Sequence, residues 1–484
     1  MPDVANLSRV LRHHPVIAEI SGLGLDALLV GGFIRDALLG RTPTDVDIVL
    51  SGDYDSGVSA IAEALGEDAF ALGDRFQTRR FTLFHGTLDI TPLEGSGWEE
   101  DLLRRDFTVN AIGLPFGRLG DKDIAGALID PADGLSDLAQ HRIVAVAENN
   151  LLADPLRILR AYRFAVQLGF EIEEATASLL GLHADAVNQA AGERIREELF
   201  LMLRHPRAHA GLAALDKAGV LTALFPEIEP MRHFKQNDFH HLPVLAHSLE
   251  AIRELEHILS AGEGLADDVR DTVLAEMREI VSPPATRASL VKLALLFHDV
   301  GKPQTAQVQE NGKLTFYGHQ QAGREIAEPI LKRLRLSNWE RNVLLLLIEE
   351  HLRVGFYCNE PQLTNKLIYR FHRKLGDAAT MSCIHALADA RATRGPDAGE
   401  EFLAKHEEVV NAILWHHYFS EETVEPIPLL TGDQIMEVTG LPEGPDIGRL
   451  KEALLEAQVE GTVRDVDEAE AFVRQYAAEG LGKV

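Results

Sequence analysis

Apolar and polar positions change rhythm along the chain. Residues 26–50 read as strand, loop, helix, turn, strand. Ala27–Val30 is a short apolar run, Gly31-Gly32 interrupts it, and residues 33–39 carry apolar positions at helical spacing. Gly40 ends that helix, Pro43 marks a turn, and residues 46–50 form a second apolar run. Residues 80–84, 88–91 and 143–146 read as further strands, so the N-terminal part is expected to be a small mixed α/β domain. From Leu151 onward the pattern is helical almost throughout. Leu156, Leu159, Phe164 and Leu168 recur at helical spacing, and residues 193–203 form another amphipathic segment. A block from Phe239 to Ala392 carries nine of the 20 histidines. Residues 395–399 read as a linker, and the remainder predicts amphipathic helices around a Pro/Gly-rich turn at 441–448. The fold class expected is α+β, a small mixed domain followed by a mostly helical body.

Composition narrows this picture. With 484 residues, 46% hydrophobic and 25% charged, the chain has the make-up of a soluble globular protein of several domains, not of a disordered or collagen-like one. Uninterrupted apolar runs such as 343–348 fall far short of the ~20 residues that cross a bilayer. The N-terminus shows no basic segment followed by an apolar core, so no secretory signal and no membrane partner are expected. Two cysteines, Cys358 and Cys383, make neither a CxxC-type metal site nor a disulfide framework, which fits a cytoplasmic location. Lys and Arg number 47 against 75 Asp and Glu, a net charge of −28. Such a chain repels polyphosphate generally, so any RNA site must be a local groove.

The chemistry concentrates in two places. Asp45 and Asp47, two apart in a predicted strand, would point both carboxylates to one face, an arrangement suited to Mg²⁺. Upstream, Gly31-Gly32 opens a helix, where glycine allows close backbone approach and free N–H groups meet phosphates. Arg35, one turn in, is within reach of the same phosphates. Each feature alone has a plain explanation, a tight turn or a solvated loop. The ordered combination 29-LVGGFIRDALLG-40 and 43-PTDVD-47 is far more specific.

This segment resembles the first motif of the class II tRNA nucleotidyltransferase and bacterial poly(A) polymerase family. Arg104-Arg105-Asp106-Phe107-Thr108-Val109-Asn110-Ala111 resembles its RRDFTxNA motif. Residues 154–165, DPLRILRAYRFA, resemble DPLRxLRAxRFA, and Glu193-Arg194-Ile195-Arg196-Glu197-Glu198 resembles the last core motif. The resemblance implies transfer of a nucleoside monophosphate from CTP and/or ATP to the 3′ hydroxyl of tRNA, with release of pyrophosphate. It implies that Asp45 and Asp47 are catalytic metal ligands. Gly31, Gly32, Arg35, Arg105, Asp106, Asn110 and Arg160 would hold the nucleotide's sugar and phosphates, Arg160 reaching either base or phosphate. Asp154 and Arg157, at i, i+3 on one helix face, would read the base edge, the carboxylate accepting from the exocyclic amine of C or A. Asp-Pro is also an ordinary helix-start signature, and one residue can serve both ends. Asp89 is either a third carboxylate or a polar strand-edge residue. Arg104 is either a ligand or a solvated helix-start charge, and Arg163 is expected to be structural.

Two departures from the family pattern stand out. Ala153 replaces the Glu that often precedes the Asp, which weakens positioning of the arginine. The segment between Leu88 and Arg104 is short, which resembles enzymes that add only the two cytidines.

The second constellation is His247, His298-Asp299, His319, His351 and Asp389, with HDVGK intact at 298–302. Imidazole and carboxylate together suit a divalent metal that activates water on phosphate esters. The order H…HD…H…H…D resembles the HD phosphohydrolase superfamily. The resemblance implies a metal held by His247, His298, Asp299 and Asp389, with His319 and His351 as further ligands and a phosphate ester as substrate. The expected division is a catalytic head at 1–147, a helical neck at 148–238, an HD domain at 239–394 and a helical tail at 395–484. Candidate RNA contacts are Arg194, Arg196, residues 204–207, 332–335 and 366–374, and a phosphate site at the Gly448 turn, each equally readable as a solvated face. Two rivals remain. One is a poly(A) polymerase on the same fold. The other is a phosphohydrolase whose N-terminal fold only binds RNA.

Overall fold

Four consecutive apolar residues, Ala27–Val30, form strand β1 and are all buried. This is what a strand covered on both faces requires. β1 is flanked antiparallel by β2 (Val46–Leu50) and by Gly113–Pro115. On its far side β2 pairs parallel with the strand Gly86–Pro92, which pairs antiparallel with Arg79–Leu83. With Phe70–Ala71 at the edge, these make one mixed six-stranded sheet. The computed structural model describes residues 2–71, 77–84 and 86–479. They divide into two compact units, 1–202 with 214–224 and 203–213 with 225–484.

The turn from β1 into the helix Gly32–Leu38 runs through Gly31 at φ +70°, a conformation that suits glycine. A Cβ at Gly31 would stand 3.3 Å from both Asp47 Oδ2 and Arg105 Nη1, so glycine also keeps that space open. Two strand expectations shift. β2 begins at Val46, so Asp45 lies just ahead of the ladder. Of residues 143–146, only Ile143 belongs to a regular strand, Arg142–Ile143, which pairs with Glu171–Ile172. Val144 and Val146 instead bond the irregular backbone at Thr108 and Asp106, and Ala145 bridges Phe107. They are extended, but their partners form no ladder.

The second unit is helical. Arg287–Phe297 runs through its interior, with every residue from Ser289 onward buried. That position forces Lys292, 2% exposed, to find a partner, and it donates to Glu256 at 2.8 Å and to the His205 carbonyl at 2.7 Å. Glu256 also accepts from the His209 backbone and ring. Removing one member of such a buried pair strands the other. Lys292→Ala is therefore expected to cost about 3 kcal/mol or more in chemical denaturation, and pairing Lys292→Met with Glu256→Gln to recover most of it.

The stretch read as a linker is pinned. Gly395 N bonds the Phe239 carbonyl at 2.7 Å, and a Cβ at Gly395 would fall 2.2 Å from the Asp238 carbonyl oxygen. The helix Glu400–Phe419 packs against Ala379–Ala392. A separate apolar cluster around Ile435, Leu450, Leu454, Ala469 and Val473 forms the core of the C-terminal helices. Among the described residues, no helix is long and apolar enough to cross a membrane.

Candidate active sites

Parallel register sets Asp47 directly opposite Asp89. Asp45 precedes them on the same edge of the sheet, with Oδ1 accepting from the Thr87 backbone at 3.0 Å and hydroxyl at 2.9 Å. All three carboxylates line one cleft of about 680 Å³. That volume lies within the range of small-molecule sites. Burial pushes the Asp47 carboxyl up to about 6. Arg105 opposes this, and Asp89 and Asp45 reinforce it. A buried carboxylate left under-compensated beside two others fits a divalent cation. Asp89 is further from free, because Arg80 forks onto both its oxygens at 2.7 and 2.6 Å.

The cleft's basic wall comes from the RRDFT segment and the helix Leu156–Leu168. Arg105 lines the cleft, pairs loosely with Asp101 at 3.5 Å, and has a buried Nε with no hydrogen-bond partner. Asp106 is saturated. Its Oδ1 accepts from Phe107 N at 2.8 Å and Asn110 Nδ2 at 2.9 Å, and its Oδ2 from Arg160 at 2.8 Å. Burial would raise this carboxyl, but the Arg160 and Arg157 charges and the Asn110 bond hold it well below the usual carboxylate range. The chain of contacts continues both ways. Arg35 donates to Asn110 at 2.6 Å and forks onto Asp36, while Arg160 and Arg163 both reach Glu198. Gly31, Gly32, Arg35, Arg105, Asp106, Asn110 and Arg160 thus come together around the carboxylates.

Asp154 and Arg157 are not among the residues lining that cleft. Asp154 accepts a fork from Arg194 at 3.1 and 2.8 Å and a backbone bond from Leu156, so it works partly at the helix start. Arg157 donates to the Arg104 carbonyl at 2.8 Å and the Asn150 carbonyl at 3.1 Å. Asn150 in turn holds the Leu103 and Arg105 carbonyls, both at 2.8 Å. Arg104 itself is half-exposed and pairs with Glu94 and Glu100. Arg80, Asn150 and Glu198 hold positions in the site that the residue pattern alone does not assign to them. Arg80 was the readable one, since a hairpin pairing Leu83 with Gly86 sets it opposite Asp89.

The second centre lies in the helical unit and repeats one device three times. His298, His319 and His351 each donate Nδ1 to a carbonyl three residues back, Leu295, Phe316 and Ile348, at 2.7–2.8 Å. This fixes the tautomer and turns each Nε2 inward, as metal-ligating histidines require. His298 Nε2 lies 3.1 Å from Asp299 Oδ2 and 3.6 Å from Asp389 Oδ1, and His247 Nε2 lies 2.8 Å from Asp389 Oδ1. His319 and His351 stand 3.4 and 3.7 Å from Asp299 Oδ1. The six expected ligands therefore converge, in overlapping trios whose ligand atoms lie within 4.8 Å of one another. His298 Nε2 and both Asp299 oxygens are buried without a well-formed hydrogen bond, so the donor set fits a divalent cation. Lys302 Nζ stands 2.6 Å from Asp299 as its counter-charge. Burial disfavours the His298 imidazolium, yet Asp299 and Asp389 push it up to about 10. His240, in a further trio with His247 and Asp299, and His385, one turn before Asp389, were not anticipated.

Residues 27–144 match the family described as the Poly A polymerase head domain, 169–232 the probable RNA and SrmB-binding site of polymerase A, and 244–392 the HD domain. The class these define is a nucleotidyltransferase carrying an HD domain. The chain is 34% identical to the A-adding tRNA nucleotidyltransferase of Deinococcus radiodurans over 94% of its length and 96% of the relative. It is 35% identical to the CC-adding tRNA nucleotidyltransferase of Thermus thermophilus over 93% of each. The chain belongs to the tRNA nucleotidyltransferase family. A CCA-adding enzyme solved with ATP shares the fold, with a TM-score of 0.67 at 22% identity over 99% of this chain and 98% of that one. The Thermotoga maritima CCA-adding enzyme complexed with tRNA does so with a TM-score of 0.65 at 22% identity over 98% of each.

Proposed function

We propose that the protein extends the 3′ end of tRNA with C and/or A from CTP and ATP, releasing pyrophosphate, in the cytoplasm. The observation that carries this is the cleft where Asp45, Asp47 and Asp89 face Arg105 and Arg160. Asp45 and Asp47 would hold a divalent cation, Mg²⁺ in this reading, which would supply positive charge to the reacting phosphate. Gly31 keeps the approach to Asp47 open. Arg105, which lines the cleft and is paired only loosely with Asp101, takes a phosphate of the incoming nucleotide. Asp106, already saturated, sets the positions of Asn110 and Arg160. In our reading residues 1–147 are the catalytic head, 148–238 the neck, 239–394 the HD domain and 395–484 the tail.

Addition of C alone is the narrower reading. What supports it is residues 93–97, a short connection tied down by Glu100, which accepts from the Ser96 backbone and hydroxyl at 2.8 and 2.9 Å. The test uses tRNA ending at the discriminator base, at C or at CC, each with one labelled NTP. CTP addition that stops after two residues, with no ATP use on the CC end, is the expected result. Single A addition to the CC end selects the opposite half-reaction, and long A tails on many RNAs select a poly(A) polymerase.

Base choice rests on Asp154 and Arg157. With Ala at 153, Arg194 is the residue that orients Asp154. Arg194→Ala is expected to lower the preference for CTP over UTP by about tenfold, the loss of roughly one charge-assisted hydrogen bond. Single-turnover incorporation with each NTP measures it.

For the HD centre we infer a metal-dependent phosphohydrolase. The support is the set of inward-facing Nε2 atoms around Asp299.

A further inference from the structure

We propose that the cavity over the histidine centre is a nucleoside-phosphate site whose base-holding wall comes from the helix Glu400–Phe419, beyond the matched HD region. This rests on reading the centre as a phosphohydrolase. The cavity measures about 1020 Å³, with Asp299, His351, Asp389 and Lys302 among its lining residues. That is far more room than an isolated phosphate needs. Phe239, Phe402 and His406 line the same cavity. Their rings form a contiguous series, with centroids 6.1 Å apart from Phe239 to Phe402 and 4.3 Å from Phe402 to His406.

His406 is 7% exposed, and its Nδ1 donates to the Phe402 carbonyl at 2.8 Å. With Nδ1 held there, Nε2 is the ring nitrogen left to meet a ligand, as an acceptor whenever the ring is uncharged. Gly355, also lining the cavity, is the neighbour of that nitrogen: a Cβ there would reach ordinary contact with Nε2, at 3.7 Å. A face of aromatic rings with one buried acceptor matches a planar base bearing an exocyclic amine. Asp397, Glu401 and Glu408 also line the cavity, and Lys405 is taken by Glu408 at 2.9 Å. These acids repel an RNA backbone, so a free adenosine or cytidine nucleotide fits better than a strand end. In the reaction, a water oxygen bonds to phosphorus, the P–O ester bond breaks, and the nucleoside hydroxyl leaves carrying a proton from that water.

The test compares AMP with ribose 5-phosphate, which lacks only the base, in binding by calorimetry and in Mn²⁺-supported hydrolysis. Phe402→Ala is expected to weaken one AMP-binding event about tenfold or more and to lower the AMP to ribose-phosphate ratio of kcat/KM by a similar factor, the range of one base stacked on one ring. His406→Phe is expected to reduce discrimination between AMP and purine riboside monophosphate, which lacks the amine. Equal efficiency for AMP and ribose 5-phosphate, with AMP binding the same in Phe402→Ala as in the parent, overturns the wall. An RNA ending in adenosine 3′-phosphate that is hydrolysed better than AMP overturns the choice of a free nucleotide. No hydrolysis of any phosphate, p-nitrophenyl phosphate included, removes the phosphohydrolase reading. Loss of AMP binding in Phe402→Ala under that result still supports a nucleotide wall.

Discussion

Asp45→Ala and Asp47→Ala proteins are each expected to lose nucleotide incorporation by about a thousandfold or more, the loss of several kcal/mol of charge stabilisation at the reacting phosphate. The reason lies in the register. Asp47 and Asp89 meet across a parallel ladder, and Arg80 neutralises only Asp89. Asp45 and Asp47 therefore carry the charge available to a cation. A control separates this effect from unfolding. The Asp47 carboxyl rises from its ordinary 3.8 to about 6 on folding, so in chelator it contributes stability below pH 4 that is lost as the pH rises through 6. Asp47→Asn removes that dependence, and in chelator at pH 8 it should be more stable than the parent by about 1–3 kcal/mol while remaining inactive. Denaturation at pH 4 and pH 8 reads the first part, and primer extension on tRNA reads the second. Full incorporation by either alanine protein ends the assignment of that carboxylate to the reacting centre, whereas loss of incorporation excludes the rival in which the N-terminal fold only binds RNA.

The second large effect is a separation of activities. Asp299→Asn is expected to lower phosphate-ester hydrolysis by about a hundredfold or more, because Asp299 is the carboxylate shared by His298, His319 and His351. CTP incorporation into tRNA should stay within about twofold of the parent, since no residue lining the first cleft belongs to this centre. Bound metal, measured after dialysis, should fall with the hydrolysis. His298→Ala serves as a second probe, because the substitution removes one candidate ligand and leaves the Asp299–Lys302 pair in place. Loss of both activities in two variants that retain their thermal transition would mean that the sites are not independent.

Much of this was readable from local pattern. The run Ala27–Val30, the glycine break and the helix after it are short-range features, and their spacing announced strand, turn and helix before any partner was known. The six candidate residues of the histidine centre were likewise visible as residue types in order. Their convergence was not, because it depends on five separate helical stretches returning to one point. The same limit explains Asp154. Its neighbours in the chain suggested base reading or a helix cap, but the residue that grips it, Arg194, lies forty positions away. Residues 395–399 looked like a linker by composition, and only Asp238 and Phe239 packing against Gly395 made them part of the body.

Most elements, the family and the chemistry of the side chains are written in the residue order, because propensity, periodicity and motif order act over a few residues. Packing settles which carboxylates lack an arginine fork, which arginines are already spent on Asp36, Asp89 and Glu198, and which aromatic rings line the cavity with the histidine centre. Those outcomes depend on distance and burial between residues far apart in the chain. Charge compensation and cavity shape exist only once the packing is complete.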